Sequence, residues 1–179
     1  MNRATTAGKT LIPLMLALSA SGCGLTQKVS EGTASVTNSL FYKQIRTLHL
    51  DFRAREGANR NAQGAALSTV VRIWQLSDRQ AFDAADYPAL LAADSHVLRA
   101  DLMAQKAIRV RPGESISIDM PMEERAEFVA VAGLFLSPDT QDETWRLLLT
   151  RADLHPDRAR VIELGDGTLT LVAEKAKRP

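Results

Sequence analysis

The chain has 179 residues, 45% of them apolar, with 22 lysines and arginines against 21 aspartates and glutamates. That length suits one domain with a real hydrophobic core, and that apolar share excludes global disorder. The near-zero net charge gives no electrostatic reason to expect nucleic acid as a partner. A single cysteine excludes an internal disulfide, and no Cys/His cluster exists to build a zinc site.

The first element is a leader. Arg3 and Lys9 form a basic start, Leu11 to Leu18 (LIPLMLAL) a short apolar core, and Ser19, Ala20, Ser21 and Gly22 a small-residue run before Cys23. This order reads as a secretory signal peptide over residues 1–22; the apolar run is too short to span a bilayer as a helix. Taking away Arg3 and Lys9 leaves 20 basic groups against 21 acidic ones, a net of −1. Ala20-Ser21-Gly22-Cys23 resembles the lipobox of bacterial lipoproteins, with Ala20 where Leu is most frequent. That resemblance implies cleavage before Cys23 and acylation of it. One acyl chain holds a protein only marginally, at about 0.8 kcal/mol per buried methylene, whereas several chains on one residue anchor it durably. Gly24 at the next position, where Asp is absent, implies sorting to the outer membrane. A plain signal peptide, with Cys23 an incidental thiol, is the competing reading.

Residues 23–46 read as a lipidated tether. Within them Thr33 to Arg46 can form a helix, with Val36, Leu40 and Ile45 on one face. From Thr47 the period becomes two, which predicts a strand carrying Leu48, Leu50 and Phe52 inward. Arg55 to Ala66 (REGANRNAQGAA) is a loop, and Leu67 to Leu76 (LSTVVRIWQL) a second strand. Ser77 to Ala93 predicts a short helical insert, with Phe82, Leu90 and Leu91 inward and Pro88 starting a second turn. Residues 96–102 are ambiguous. Strands follow over Ala107 to Arg111, Ser115 to Met120, Glu127 to Leu136 (apolar on both faces, hence central) and Trp145 to Thr150. Arg160 to Leu164 and Thr168 to Ala173 flank the turn Gly165-Asp166-Gly167. The expectation is a mainly β domain over 47–174, an antiparallel sandwich, with a frayed tail at 175–179. Its predicted core is Leu48, Leu50, Phe52, Ile73, Ile116, Ile118, Val129, Val131, Leu147 and Leu169.

Chemistry is scarce. His49, His96 and His155 have no metal-ligand spacing, and no nucleophile elbow, phosphate loop or dinucleotide fingerprint is present. Glu123-Glu124 reads as a solvated turn rather than a catalytic pair, and Trp74 and Trp145 as core rather than a ligand platform. Arg72 lies between Val71 and Ile73, so it either faces solvent or pairs with a carboxylate.

Five stretches in order then resemble one family. VVRIWQL (Val70–Leu76), DRQAF (Asp78–Phe82) with DYPALL (Asp86–Leu91), VRPGES (Val110–Ser115), FVAVAGLF (Phe128–Phe135) and Trp145-Arg146 are similar to the TssJ family, the outer-membrane lipoproteins of type VI secretion. The resemblance implies a transthyretin-like β-sandwich and a place in the trans-envelope membrane complex with TssM and TssL. It implies that the loop between the first two strands docks the periplasmic C-terminal domain of TssM. Here Arg55, Glu56, Gly57, Asn59, Arg60, Asn61, Gln63 and Gly64 would supply the contacts. Asn61 and Gly64 match the family's Asn and Gly; Ala62 stands where Pro often follows the Asn. The loop has no aromatic anchor, so docking is expected to rest on its shape, its hydrogen bonds and neighbouring loops. No cofactor, metal or catalysis is expected. The runner-up is an envelope module that binds a small ligand through its end loops.

Overall fold

The computed structural model describes residues 44–92 and 96–173. The leader, Cys23, most of the helix expected over Thr33–Arg46 and the tail from 175 lie outside them. Gln44 to Arg46, the end of that expected helix, carry no regular structure.

Two four-stranded sheets face each other. In the first, β1 (Thr47–Ala54) lies between β4 (Ser115–Pro121) and β7 (Arg160–Leu164), with β8 (Leu169–Leu171) on the outside. In the second, β2 (Thr69–Leu76) lies between β3 (Leu102–Val110) and β5 (Phe128–Leu134), with β6 (Arg146–Thr150) beyond β5. All pairs are antiparallel except β1 with β7, which is parallel. A parallel neighbour requires a long crossover, and here everything between β1 and β7 supplies it.

The alternation read from β1 is what builds the core. Leu48, Leu50 and Phe52 are fully buried, while His49, Asp51 and Arg53 line the opposite face. Ile162 and Leu164 of β7 extend this face, and Val71, Ile73, Val129 and Val131 of the second sheet pack opposite it, all fully buried. Burying one such side chain contributes roughly 1.5–3 kcal/mol. Of the predicted core, Ile116 and Leu147 are only half-buried, because β4 and β6 are edge strands. Gln75 is a buried polar member of the inner face. It is satisfied at both ends, donating to the Pro121 carbonyl (2.8 Å) and accepting from the Glu123 N–H (2.7 Å).

The outer face of the second sheet carries the insert, as two five-residue helices, α1 (Gln80–Ala84) and α2 (Tyr87–Leu91). Helices this short are unstable alone, and the sheet supplies what they lack. Arg72, Ala132 and Arg146 stand abreast across β2, β5 and β6. Arg72 donates to the carbonyls of Leu90 and Ala92 (2.8 and 2.9 Å), and Arg146 to those of Phe82 and Ala85 (2.8 and 2.9 Å). Both guanidinium groups thus cap helix C-termini, where orphan carbonyls and the dipole favour a cation. Arg72 therefore does what neither sequence reading named. Arg146 also stacks over Phe82 and Trp145, and Trp145 meets Tyr87 edge-on at 4.9 Å. Tyr87 donates to the Phe135 carbonyl, and burial pushes its phenol up from the ordinary value. Leu90 faces in, but Leu91 is 42% exposed, contrary to expectation, because α2 ends there and shows its last residue to solvent.

β3 begins at Leu102, well before the expected Ala107. As an edge strand it shows Gln105, Lys106 and Ala107 to solvent, so the apolar alternation that marks a strand is missing.

Candidate partner-docking site

Because β1 and β7 run parallel, Ala54 and Leu164 finish at the same end of the sandwich. Residues 44–46 enter at the Thr47 end. Here Arg151 donates to the carbonyls of Ile45, Glu123, Glu124 and Ala126, clamping the entering chain to the β4–β5 connection. At the far end, beyond Ala54, Leu164 and Leu134, lie the Arg55–Ala66 loop, the β5–β6 connection and the Gly165–Thr168 turn.

The loop is ordered by its own side chains. Asn61 accepts at Oδ1 from the N–H groups of Gln63 (3.0 Å) and Ala65 (2.9 Å), and its own N–H donates to the Ala65 carbonyl. Gly64 closes this turn at φ 81°, a left-handed value that costs glycine nothing. Arg60 and Ala66 face each other across an antiparallel bridge at its base. The tip, Ala62 to Ala65, is exposed. The Arg60 guanidinium lies so close over Gly57 that a Cβ there would sit 2.1 Å from it. Arg55 pairs with Glu163 of β7. Glu56 is exposed beside the β3–β4 turn at Gly113.

Asn59 differs from the other expected contacts. It is 5% exposed, at φ 52°, and every polar group it carries is engaged within the chain. Its N–H donates to Gly165, its carbonyl accepts from Leu67, its Nδ2 donates to Ser68 and its Oδ1 accepts from Leu136 (2.7 Å). Asn tolerates the left-handed region better than most residues, and the amide here turns that conformation into a junction of three loops. Asn59 therefore holds the site rather than presenting itself. Ala58, beside it, is also buried. Composition could not show this, since a polar residue in a Gly/Asn-rich stretch reads as solvated. Asp166, read only as a turn residue, accepts from the Arg60 N–H at 2.8 Å. Nearby, Asp139 accepts from the Thr144 hydroxyl and the Asp142 N–H, which hold its carboxyl below the ordinary range.

Nothing gathers as a reaction centre among the described residues. His49 meets Asp119 across the outer face of the first sheet at 2.5 Å, and His155 accepts from the Asp157 N–H. His96 is exposed on another segment. Among the described residues there is no cluster of three or more His, Cys, Asp or Glu able to hold a metal. Glu123 and Glu124 are exposed, and Trp74 and Trp145 are core. A cleft of about 680 Å³ lies on the outer face of the second sheet, against Arg72, Trp74, Leu90, Leu98 and Arg99, away from the loop pole. Among the described residues no helix is long and apolar enough to cross a membrane.

A family model described as type VI secretion lipoprotein (SciN, VasD, EvfM, TssJ) matches residues 46–167, from the start of the sandwich through the β7–β8 turn. The chain belongs to the TssJ family. A comparison with curated proteins gave no significant match. Among solved structures, a chain from one described as "Type VI membrane complex" is 50% identical, over 73% of this chain and all of that one, with a TM-score of 0.70. Another, described as "T6SS protein TssM C-terminal domain" from EAEC, gives 48% identity, 73% and 100% coverage and a TM-score of 0.67. The lipoprotein TssJ1 from Pseudomonas aeruginosa is 26% identical over 75% of this chain and all of that one, with a TM-score of 0.62. The TssJ fold is thus the sandwich described above, and the five stretches that carried the resemblance lie on β2, the helical insert, the β3–β4 turn, β5 and the start of β6.

Proposed function

We propose that this TssJ-family chain is a non-catalytic adaptor of the type VI membrane complex. In this reading residues 1–22 are a signal peptide, Cys23 carries lipid in the periplasmic face of the outer membrane, and the β1–β2 loop docks the periplasmic C-terminal domain of TssM. The observation that carries the reading is the two-pole layout. The chain coming from Cys23 enters the sandwich at Thr47, and the loop leaves β1 at Ala54. An eight-residue strand is about 25 Å long at roughly 3.3 Å per residue, so the loop leaves the sandwich at the end opposite to the one where the chain enters. The similarity to chains from structures described as the TssM C-terminal domain and the type VI membrane complex supports the choice of partner.

Within the loop, the tip Asn61 to Ala65, with Glu56 and the outer parts of Arg55 and Arg60, offers contact, while Gly57 and Asn59 shape it. The test is co-purification with TssM from solubilised membranes. The variant replaces Asn61 to Ala65 with a two-residue Asn-Gly turn between Arg60 and Ala66, which already face each other across a bridge. A stably folded, membrane-associated variant that no longer retains TssM is the expected result. Undiminished retention would move docking elsewhere.

A further inference from the structure

We infer that Leu67 and Leu136 are the apolar anchor of the docking face, seated against an apolar recess of TssM's periplasmic C-terminal domain. This rests on the docking reading above.

Leu136 is 60% exposed and Leu67 36%. A single exposed leucine means little. These two, however, come from separate segments and converge on one residue. The Leu67 N–H donates to the Asn59 carbonyl (3.1 Å) and the Leu136 N–H to the Asn59 side chain (2.7 Å). Both therefore border the same junction, at the base of the loop.

Their presentation is dictated, not accidental. Phe135 is buried at 4% exposure, and Leu136 follows it in the bend just after β5, at the surface. The segment that follows is pinned from the other side. The Asp139 N–H donates to Gly167, and a Cβ at Gly167 would strike the Ser137 carbonyl at 2.4 Å. The β7–β8 turn thus packs directly on residues 137–139. Leu67 is fixed by its own bond to Asn59 just before β2 begins. An apolar pair held rigidly in the free protein loses little freedom on binding, which is how a small patch becomes an anchor. It also provides what the loop lacks, since the tip residues are polar or small and interfaces usually centre on large apolar or aromatic side chains.

Leu67→Ser, Leu136→Ser and the double variant, as full-length chains, test this by titration against TssM's periplasmic domain. Leu91→Ser, an exposed leucine on α2, is the control. The double variant should bind at least tenfold more weakly, with its thermal midpoint unchanged, while the control binds normally. If the double variant binds normally but the Asn-Gly tip replacement does not, the anchor is refuted and loop docking stands. If both bind normally, both readings fall. If the double variant alters only self-association of the chain, the pair serves a copy of this protein and the inference is overturned.

Discussion

Arg146 shows how one side chain decides whether a segment folds. Its side chain is 10% exposed, and its guanidinium serves the carbonyls of Phe82, Asp83 and Ala85 and the Glu143 carboxylate while lying over two aromatic rings. A planar fork can do this; an ammonium cannot. Leaving a buried acceptor unmet costs about 1–3 kcal/mol, so Arg146→Lys should destabilise the domain by roughly 2–3 kcal/mol, read from urea unfolding. Ala132 stands between Arg146 and Arg72, and a larger residue there should be poorly tolerated for want of room. Asp153 is a second case, with a sign that can be worked out. Its carboxylate accepts from the Thr150 hydroxyl and N–H, both at 2.7 Å, and these bonds hold its pKa below the ordinary 3.8. A depressed folded pKa stabilises above the unfolded value and is lost as pH falls through the folded one. The difference in urea midpoint between the native chain and Asp153→Asn should therefore be present at pH 7 and shrink below about pH 3.8. A difference that persists or grows in acid would contradict the assignment.

At the scale of elements, what was legible in the sequence was whatever depended on period and turn chemistry. β1 is bounded where the alternation of Leu48, Leu50 and Phe52 places it, and Gly165-Asp166-Gly167 does join two strands. What was not legible depends on neighbours. β3 lacks clean alternation because it is an edge strand that exposes Gln105 to Ala107, the parallel β1–β7 pair leaves no local mark, and the targets of Arg72 and Arg146 lie far away in sequence. The β1–β2 loop divides in the same way. Its turn at Asn61 and Gly64 follows from residue type, whereas the burial of Ala58 and Asn59 follows from three loops meeting. This division governs how the loop can be cut. Replacing everything from Glu56 to Ala65 would remove Asn59 and unfasten Leu67, Leu136 and Gly165, so that variant should lose stability along with any binding. Replacing only Asn61 to Ala65 should leave the thermal midpoint within a few degrees of the native value. Equal midpoints for the two variants would show that Asn59 fastens nothing that matters.

At the scale of the whole molecule, the proposed reading assigns membrane anchoring and docking to different parts of the chain, so each can be removed by itself. Arg151 secures the entering chain at one end through main-chain carbonyls, and Asn59 organises the other end. No described residue at the loop end of the sandwich belongs to the Gln44–Arg46 segment where the chain enters. In the proposed reading, acyl chains on Cys23 supply the membrane-binding free energy, which scales with buried methylenes, and the β1–β2 loop supplies the docking. Cys23→Ser should therefore vanish from the outer-membrane fraction, still bind TssM's periplasmic domain with native affinity when purified, and fail to support secretion. Unchanged fractionation would show that Cys23 is not the anchor. A soluble variant that folds normally but has lost TssM would show that lipid and docking face are coupled, against the two-pole arrangement.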